Sequence, residues 1–258
     1  MQPDLKYMIS LSPELAIKFL KTKGFKYSWN WQDIWQEAHT RSFTVAKVLR
    51  EDILRDIREI IEKTMQEGLT FRQFKKELEP KLKNKGWWGR VVVGNDTGAD
   101  VIQLGSVWRL KIIYRTNIQT AYMAGRYKQQ ADNTDNRPYW QYIAVMDRKT
   151  RPAHAQLNGR IFKYNDPFWD SFYPPNGWGC RCRVRALSDN NLKDRNLGID
   201  KSEGQLSEEL RLVSKKTGEL KPITVYTDPL TGHKIAPDVG WSYNPGKVKD
   251  WRQNNDNR

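Results

Sequence analysis

The chain has 258 residues, of which 44 are lysine or arginine and 30 are aspartate or glutamate, so its formal net charge is +14. Hydrophobic residues make up 38% of the chain and aromatic residues 12%, a composition that excludes a disordered basic tail. The positive charge favours an anionic neighbour, such as nucleic acid, an acidic protein surface or a membrane surface, but it identifies no chemistry.

The sequence has no targeting or membrane segment that we can recognise. It contains no run of about 18 apolar residues, and its first 25 residues lack a secretory signal. We therefore expect a protein of the cytoplasm with no membrane partner. Cys180 and Cys182 are its two cysteines, so hydrophobic packing rather than a disulfide framework must hold the fold together.

Helices dominate the first part of the chain. Ser12 and Pro13 fit the N-cap and first turn of a short helix that stops near Gly24. Apolar residues at three- and four-residue spacing predict a second helix from Thr44 to Lys63. A turn at Gly68 would lead to a third helix.

That third helix has clear start and stop signals. Thr70 and Gln73 have the spacing of a capping box, and Pro80 is expected to interrupt the helix. The glycine-rich stretch from Gly86 to Gly105 predicts a loop or a short hairpin. A long helix should then run from Ser106 to about Gln130.

Strand patterns replace helical patterns further along the chain. Tyr139 to Val145 and Cys180 to Val184 are predicted strands, separated by a loop that is rich in proline, glycine and aromatic residues. After Leu187 the sequence turns polar and irregular, with a weak hairpin from Thr224 to Ile235. The predicted fold class is α+β: a mainly helical N-terminal region, then a small, loop-rich α+β region with short antiparallel strands.

These patterns divide the chain into four regions. We predict a helical docking region over 1–105 and a region with a long helix and a small β element over 106–187. An irregular C-terminal region over 188–246 and a flexible tail over 247–258 complete the chain.

Unusual residues are densest between Asp147 and Arg185. The blocks in this segment are Asp147-Arg-Lys-Thr150-Arg151-Pro-Ala-His154, Asn158-Gly159, Asp166-Pro-Phe-Trp169 and Pro174-Pro-Asn-Gly-Trp-Gly-Cys180-Arg-Cys182-Arg183. In this order they resemble the signature of the phage Mu F-like head morphogenesis family. Other parts of the chain are similar to its members: Pro13-x-x-Ala16-Ile17 with Lys23, His39 to Lys47, Gly86-Trp-Trp-Gly89, and Gly240-Trp-Ser-Tyr-Asn-Pro-Gly246.

The resemblance implies a function in virion assembly. Members are low-copy head components that lie near the portal, enter the procapsid during assembly and in some cases associate with packaged DNA. The partners expected from it are the portal, other head or scaffold proteins and viral DNA, and the expected location is the phage head, after assembly in the host cytoplasm.

The two cysteines suggest a metal site in the signature segment. With His154 and Asp147, the thiolates of Cys180 and Cys182 would form a tetrahedral Zn²⁺ site. The spacing argues against this, because only Arg181 separates the cysteines and common structural sites place two or more residues there. Buried reduced thiols are the alternative, and a disulfide between neighbours this close would be strained.

A catalytic site is a further alternative. His154 would be a general base that Asp147 orients, and Cys180 would be the nucleophile of an acyl-transfer or hydrolytic reaction. No second group of residues in the sequence supports substrate binding, so we expect no enzymatic activity.

Five arginines in the same segment are candidates for contacts with nucleic acid or a protein partner, because guanidinium groups pair with phosphates and carboxylates. They are Arg148, Arg151, Arg181, Arg183 and Arg185. In a strand, the last three would share one face and the cysteines the other. A face that is merely solvated would also explain them.

The leading hypothesis is a structural head protein. Two other classes stay open: a metal-dependent nucleic-acid-binding protein or enzyme, and a toxin-delivery module of phage origin. The second of these fits less well, because the polar residues after Leu187 contain no toxin-like motif.

Overall fold

A computed structural model of the protein describes residues 14–95 and 98–247. Ser12, Pro13 and the predicted tail from residue 248 onward lie outside the described residues. The chain forms two compact units, Met1–Ile118 and Gln119–Arg258, and the division between them falls inside the helix Val107–Ala131. The predicted division into four functional regions stays a prediction.

The predicted α+β class is confirmed, with most of the helix in the first half and short antiparallel sheets later. The helices are α1 Glu14–Lys21, α2 Ala38–Arg41, α3 Glu51–Glu67, α4 Phe71–Asn84, α5 Val107–Ala131, α6 Pro152–Gln156, α7 Phe168–Phe172 and α8 Asp189–Asp194, with a 3-10 turn at Trp31–Asp33. The strands are β1 Gly24–Phe25, β2 Ser42–Phe43, β3 Arg90–Asn95, β4 Gly98–Gln103, β5 Tyr139–Ile143, β6 Ile161–Lys163, β7 Arg183–Leu187, β8 Leu206–Ser214, β9 Glu219–Thr227 and β10 Lys234–Ile235.

Helix α3 begins later than predicted, at Glu51 instead of Thr44. The segment before it forms a separate turn, in which Val48 N donates to Val45 O at 3.0 Å, and its carbonyls bond to distant side chains: Trp87 Nε1 donates to Lys47 O at 2.8 Å and Arg109 Nη2 to Ala46 O at 2.5 Å. Lys47 also has a positive φ of 65°, which a helix does not accept. Tertiary contacts therefore override the helical periodicity.

The turn between α3 and α4 is as predicted. Gly68 adopts the left-handed conformation, with φ 66°, and its N–H bonds to Thr64 O. Thr70 and Gln73 form the capping box. Pro80 does not end α4, which continues to Asn84; Pro80 is exposed, so water can hydrate the carbonyl that it leaves without a helical partner.

For the stretch from Gly86 to Gly105 a loop or a short hairpin was predicted, and the structure shows the hairpin. Its strands β3 and β4 pair from Arg90↔Gln103 to Asn95↔Gly98. The long helix is confirmed as α5. None of the described helices is long and apolar enough to cross a membrane.

The unit Gln119–Arg258 contains two three-stranded sheets, with strand orders β6-β5-β7 and β10-β9-β8. The predicted strand at Tyr139 is confirmed as β5. The predicted strand from Cys180 is wrong in its position, because β7 begins at Arg183 and both cysteines lie in the irregular segment before it. The burial alternates as expected all the same: Cys180, Cys182 and Val184 are buried, and the residues between them are more exposed.

The chain after Leu187 is more regular than predicted. The weak hairpin is present as β9 paired with β10, and β8 pairs with β9 along nearly its whole length. Strand β8 was missed because five of its nine residues, including Leu210, are exposed, so it carries no clear hydrophobic alternation.

An aromatic core fills the same unit. Trp140 of β5, Phe162 of β6, Phe168 and Trp169 of α7 and Tyr226 of β9 are all almost completely buried. Phe168 stacks on Phe162 with ring centroids 4.0 Å apart. Phe162, Phe168 and Trp169 belong to the segment from Asp147 to Arg185, so this core anchors the signature segment from within.

Candidate metal centre

Three side chains of the signature segment converge on one buried point. Nδ1 of His154 lies 3.7 Å from Sγ of Cys180 and 3.4 Å from Sγ of Cys182. The three ligand atoms all lie within 4.8 Å of one another. His154 is 4%, Cys180 4% and Cys182 2% exposed, and neither cysteine forms a disulfide.

The Asp-x-x-Thr-Arg-x-x-His block builds the turn that delivers the histidine. Thr150 N donates to Asp147 O at 2.9 Å and Lys149 N donates to Asp147 Oδ1 at 2.9 Å, which closes a turn around the aspartate. Pro152 then starts α6, where its missing N–H costs nothing. His154 therefore reaches the cysteines from the first turn of α6.

Asn176 of the Pro-Pro-Asn-Gly element organises the cysteine side of the cluster. This residue is 1% exposed; it accepts a hydrogen bond from Tyr142 Oη at 3.0 Å and donates one to Ser171 O at 3.3 Å. Cys180 N donates to Gly177 O at 3.1 Å, and Gln119 Nε2 donates to Cys182 O at 3.2 Å. The backbone at the cysteines is thus hydrogen-bonded to a helix and to a turn, and Tyr142 of β5 holds Asn176 at the start of that turn.

At Gly177 the requirement for glycine comes from the close approach of a neighbouring side chain and not from a positive φ. A Cβ atom on Gly177 would lie 2.2 Å from Oδ2 of Asp238, whereas the positive φ in this turn, 66°, belongs to Gly179. Asp238 N also donates to Asn176 O at 2.9 Å. Asp238 carries no motif of its own, so nothing in the sequence predicted its place beside this turn.

The two thiols interact, and their pKa values shift in opposite directions. Burial disfavours a thiolate at Cys180, but hydrogen bonds from Cys182 and His154 outweigh it and lower its pKa. The adjoining Cys180 and burial together raise the pKa of Cys182.

Asp147, the predicted fourth ligand, does not join the cluster. Its carboxylate receives two hydrogen bonds from Arg181, at 2.7 and 2.5 Å, and these bonds hold the pKa of Asp147 well below its usual range. The structure thus brings together three of the four candidate ligands. Asp147 fixes the loop instead.

The same geometry bears on the catalytic alternative. Asp147 pairs with Arg181 and so does not orient His154, and among the described residues Nε2 of His154 has no hydrogen-bond partner. A base held by a third group is the usual arrangement for an activated cysteine nucleophile. The described residues do not provide that group.

The five candidate contact arginines fall into different settings. Arg151 donates to Trp178 O at 2.6 Å and lies 3.2 Å from Asp238, so, like Arg181, it stabilises the loop. Arg183 is half-buried at the start of β7. Arg148 and Arg185 are exposed.

Sequence reasoning missed a charged network beside the aromatic core. Arg160 donates to Asp200 Oδ1 at 2.9 Å and to Asp228, and the side chain of Asp228 is only 5% exposed. Asp166 of the Asp-Pro-Phe-Trp element accepts from Phe168 N at 2.9 Å and binds Ser202. An arginine just after Asn158-Gly159 was the available signal, but its acidic partners are 40 and 68 positions away.

The late Gly-Trp-Ser-Tyr-Asn-Pro-Gly motif packs onto the same unit. Asn244 Nδ2 donates to Trp169 O at 2.9 Å. A Cβ on Gly246 would lie 2.3 Å from Cβ of Tyr127, so only glycine fits against this face of α5. The motif is structural.

Comparisons with known proteins converge on one family. The sequence model of the family described as "Phage Mu protein F like protein" matches residues 55–185. The chain is 46% identical over 250 residues to "Putative capsid assembly protein F" of Escherichia phage Mu, covering 95% of this chain and 56% of that protein. It is 43% identical over 223 residues to "Mu-like prophage FluMu F protein" of Haemophilus influenzae, covering 86% of this chain and 53% of that protein. The chain thus spans about half the length of these relatives, and no solved structure matches it.

Proposed function

Because the chain belongs to the family of Phage Mu protein F like proteins, we propose that it is a minor head protein of a tailed bacteriophage that acts in procapsid assembly. The observation that carries this proposal is the 46% identity to a protein named for capsid assembly, over 95% of the chain. The function is structural rather than enzymatic. The protein lies in the phage head, near the portal, after assembly in the host cytoplasm.

The surface of the β8–β9 hairpin supports a protein partner. Leu210, Leu212 and Leu220 are 64%, 48% and 53% exposed, and Leu212 pairs directly with Leu220 across the strands. Leu210 and Leu212 are two positions apart in β8, so the three side chains share one face of the ribbon. We call this set the leucine patch. Clustered exposed apolar side chains are typical of protein interaction sites, and the partner that we propose is another head or scaffold protein.

Contact with packaged DNA is the second part of the proposal. The formal charge of +14 and the exposed guanidinium groups of Arg148 and Arg185 support it, because arginines bind backbone phosphates without regard to sequence.

Aspartate substitutions in the leucine patch should strongly reduce the incorporation of the protein into heads. We expect the variant Leu210→Asp/Leu220→Asp to stay folded, since both side chains are exposed, but to co-sediment with procapsids at least about tenfold less than the wild type, because a desolvated carboxylate costs several kcal/mol at an apolar interface. Quantitative mass spectrometry of purified procapsids measures this. The matched control is Leu230→Asp, which changes an isolated leucine that is 80% exposed in the turn before β10. Equal incorporation of all three proteins would reject the leucine patch as the docking surface.

A further inference from the structure

We propose that Nδ1 of His154 and the Sγ atoms of Cys180 and Cys182 bind one Zn²⁺ ion, with a water molecule in the fourth position. The proposal does not depend on the function in head assembly, because it rests only on the positions of these three side chains.

The distances between the ligand atoms fit a tetrahedral zinc ion. Zn–S bonds of about 2.3 Å and Zn–N bonds of about 2.05 Å at tetrahedral angles place sulfur and nitrogen about 3.6 Å apart. The observed separations of Nδ1 of His154 from the two sulfurs, 3.7 and 3.4 Å, lie on either side of this value. The two nitrogen–sulfur separations therefore already match those around a bound ion.

Hydrogen bonding alone explains only one of the two contacts. A single Nδ1 atom of His154 either donates one proton or accepts one, so it satisfies one thiol at a time. A cation between the three atoms accounts for both sulfur contacts at once. It also explains why all three groups are more than nine-tenths buried in a segment with little regular structure.

The ligand chemistry selects zinc. Two thiolates and one imidazole form a soft donor set that suits Zn²⁺ and not Ca²⁺ or Mg²⁺, and the two thiolate charges neutralise the ion. Cys182 N lies 3.5 Å from Cys180 Sγ and donates to it, the kind of N–H···S bond that supports a metal-bound thiolate. This local turn lets both sulfur atoms reach one ion although only one residue separates the cysteines.

The bound ion would join three parts of the signature segment. His154 comes from α6, Cys180 from the turn after Asn176, and Cys182 from the residue before β7. Between Tyr173 and Cys182 no helix or strand is present, so the ion would replace the missing backbone pairing in fixing this loop.

Metal content measures the proposal directly. We expect about one zinc ion per chain, by mass spectrometry of the metal, in full-length protein purified without chelator and without a polyhistidine tag. Zinc content should fall to near zero in Cys182→Ser and in His154→Gln. A matched control should keep the full complement: His233→Gln, which changes an exposed histidine.

A second measurement uses wild-type protein alone, so a variant that fails to fold does not affect it. Wild-type protein stripped of metal and loaded with Co²⁺ should show the absorption of a tetrahedral thiolate-bound ion, and added Zn²⁺ should remove it. Wild-type protein without zinc, or zinc that persists in both Cys182→Ser and His154→Gln, overturns the proposal. A cobalt spectrum without thiolate absorption overturns it as well.

Discussion

Replacing Trp140 by alanine is expected to lower the free energy of unfolding of the unit Gln119–Arg258 by about 4 kcal/mol. Trp140 is fully buried at the centre of the aromatic core, with ring centroids 5.5 Å from Tyr127, 5.8 Å from Trp169 and 5.8 Å from Tyr173. These rings are anchored on two helices and a loop, so they cannot collapse into the space that the indole leaves. The lost burial and the residual cavity both reduce stability.

Urea unfolding followed by circular dichroism measures this loss. The matched control is Trp108→Ala, because Trp108 is 70% exposed and its removal should change stability by no more than about 0.5 kcal/mol. Similar losses in the two variants would mean that the aromatic rings around Trp140 do not form the core described above.

The second large effect is expected at Arg160. The variant Arg160→Met keeps the length of the side chain but removes the cation that Asp200 and Asp228 share, and it should cost about 3 kcal/mol of unfolding free energy. The reason is the carboxylate of Asp228, which is 5% exposed and would lose its charged partner. The estimate lies at the low end for buried pairs because 15% of the Arg160 side chain is exposed.

An exposed ion pair of the same kind is the control. Arg211→Met removes a guanidinium group that lies 2.6 Å from Glu209 and is 47% exposed, and such pairs contribute about 0–1 kcal/mol. Equal effects at Arg160 and Arg211 would contradict the buried network.

The cost at Arg160 should also depend on pH. Burial opposes ionisation of Asp228, but the N–H of Leu230 and the guanidinium of Arg160 outweigh it, so the pKa of the carboxyl is lowered in the folded state. A lowered folded pKa stabilises the protein above the unfolded pKa, about 3.9, and this contribution is lost as the pH falls through the folded value. The difference between wild type and Arg160→Met should therefore be constant near neutral pH and shrink below about pH 4.

Local sequence signals predicted the elements whose stabilisation is local. The left-handed Gly68 and the capping box of Thr70 depend on neighbouring residues, and both are present. The start of α3 was placed too early because Trp87 and Arg109, 40 and 63 positions from their acceptors, bond to the carbonyls of the preceding segment, which forms a separate turn. Strand β8 was missed because its apolar residues face outward.

At the candidate site, too, the local motif was informative and the contacts with distant residues were not predicted. The signature motif identified His154, Cys180 and Cys182 as a group, and the structure brings them together. Asp147 was grouped with them because it begins the same block, yet Arg181 takes its carboxylate. Asp238, Asp200 and Asp228 approach the segment from distant parts of the chain, and no spacing rule reveals such partners.

The central claim is that the protein acts in the assembly of a phage head. The most direct test interrupts its coding sequence in the phage that carries it and examines the heads by electron microscopy, with plaque counts and DNA retention measured on the same preparation. We expect misassembled heads or heads that lose their DNA, restored when the wild-type protein is supplied from a plasmid. Heads of normal shape, DNA content and infectivity without the protein would contradict the claim.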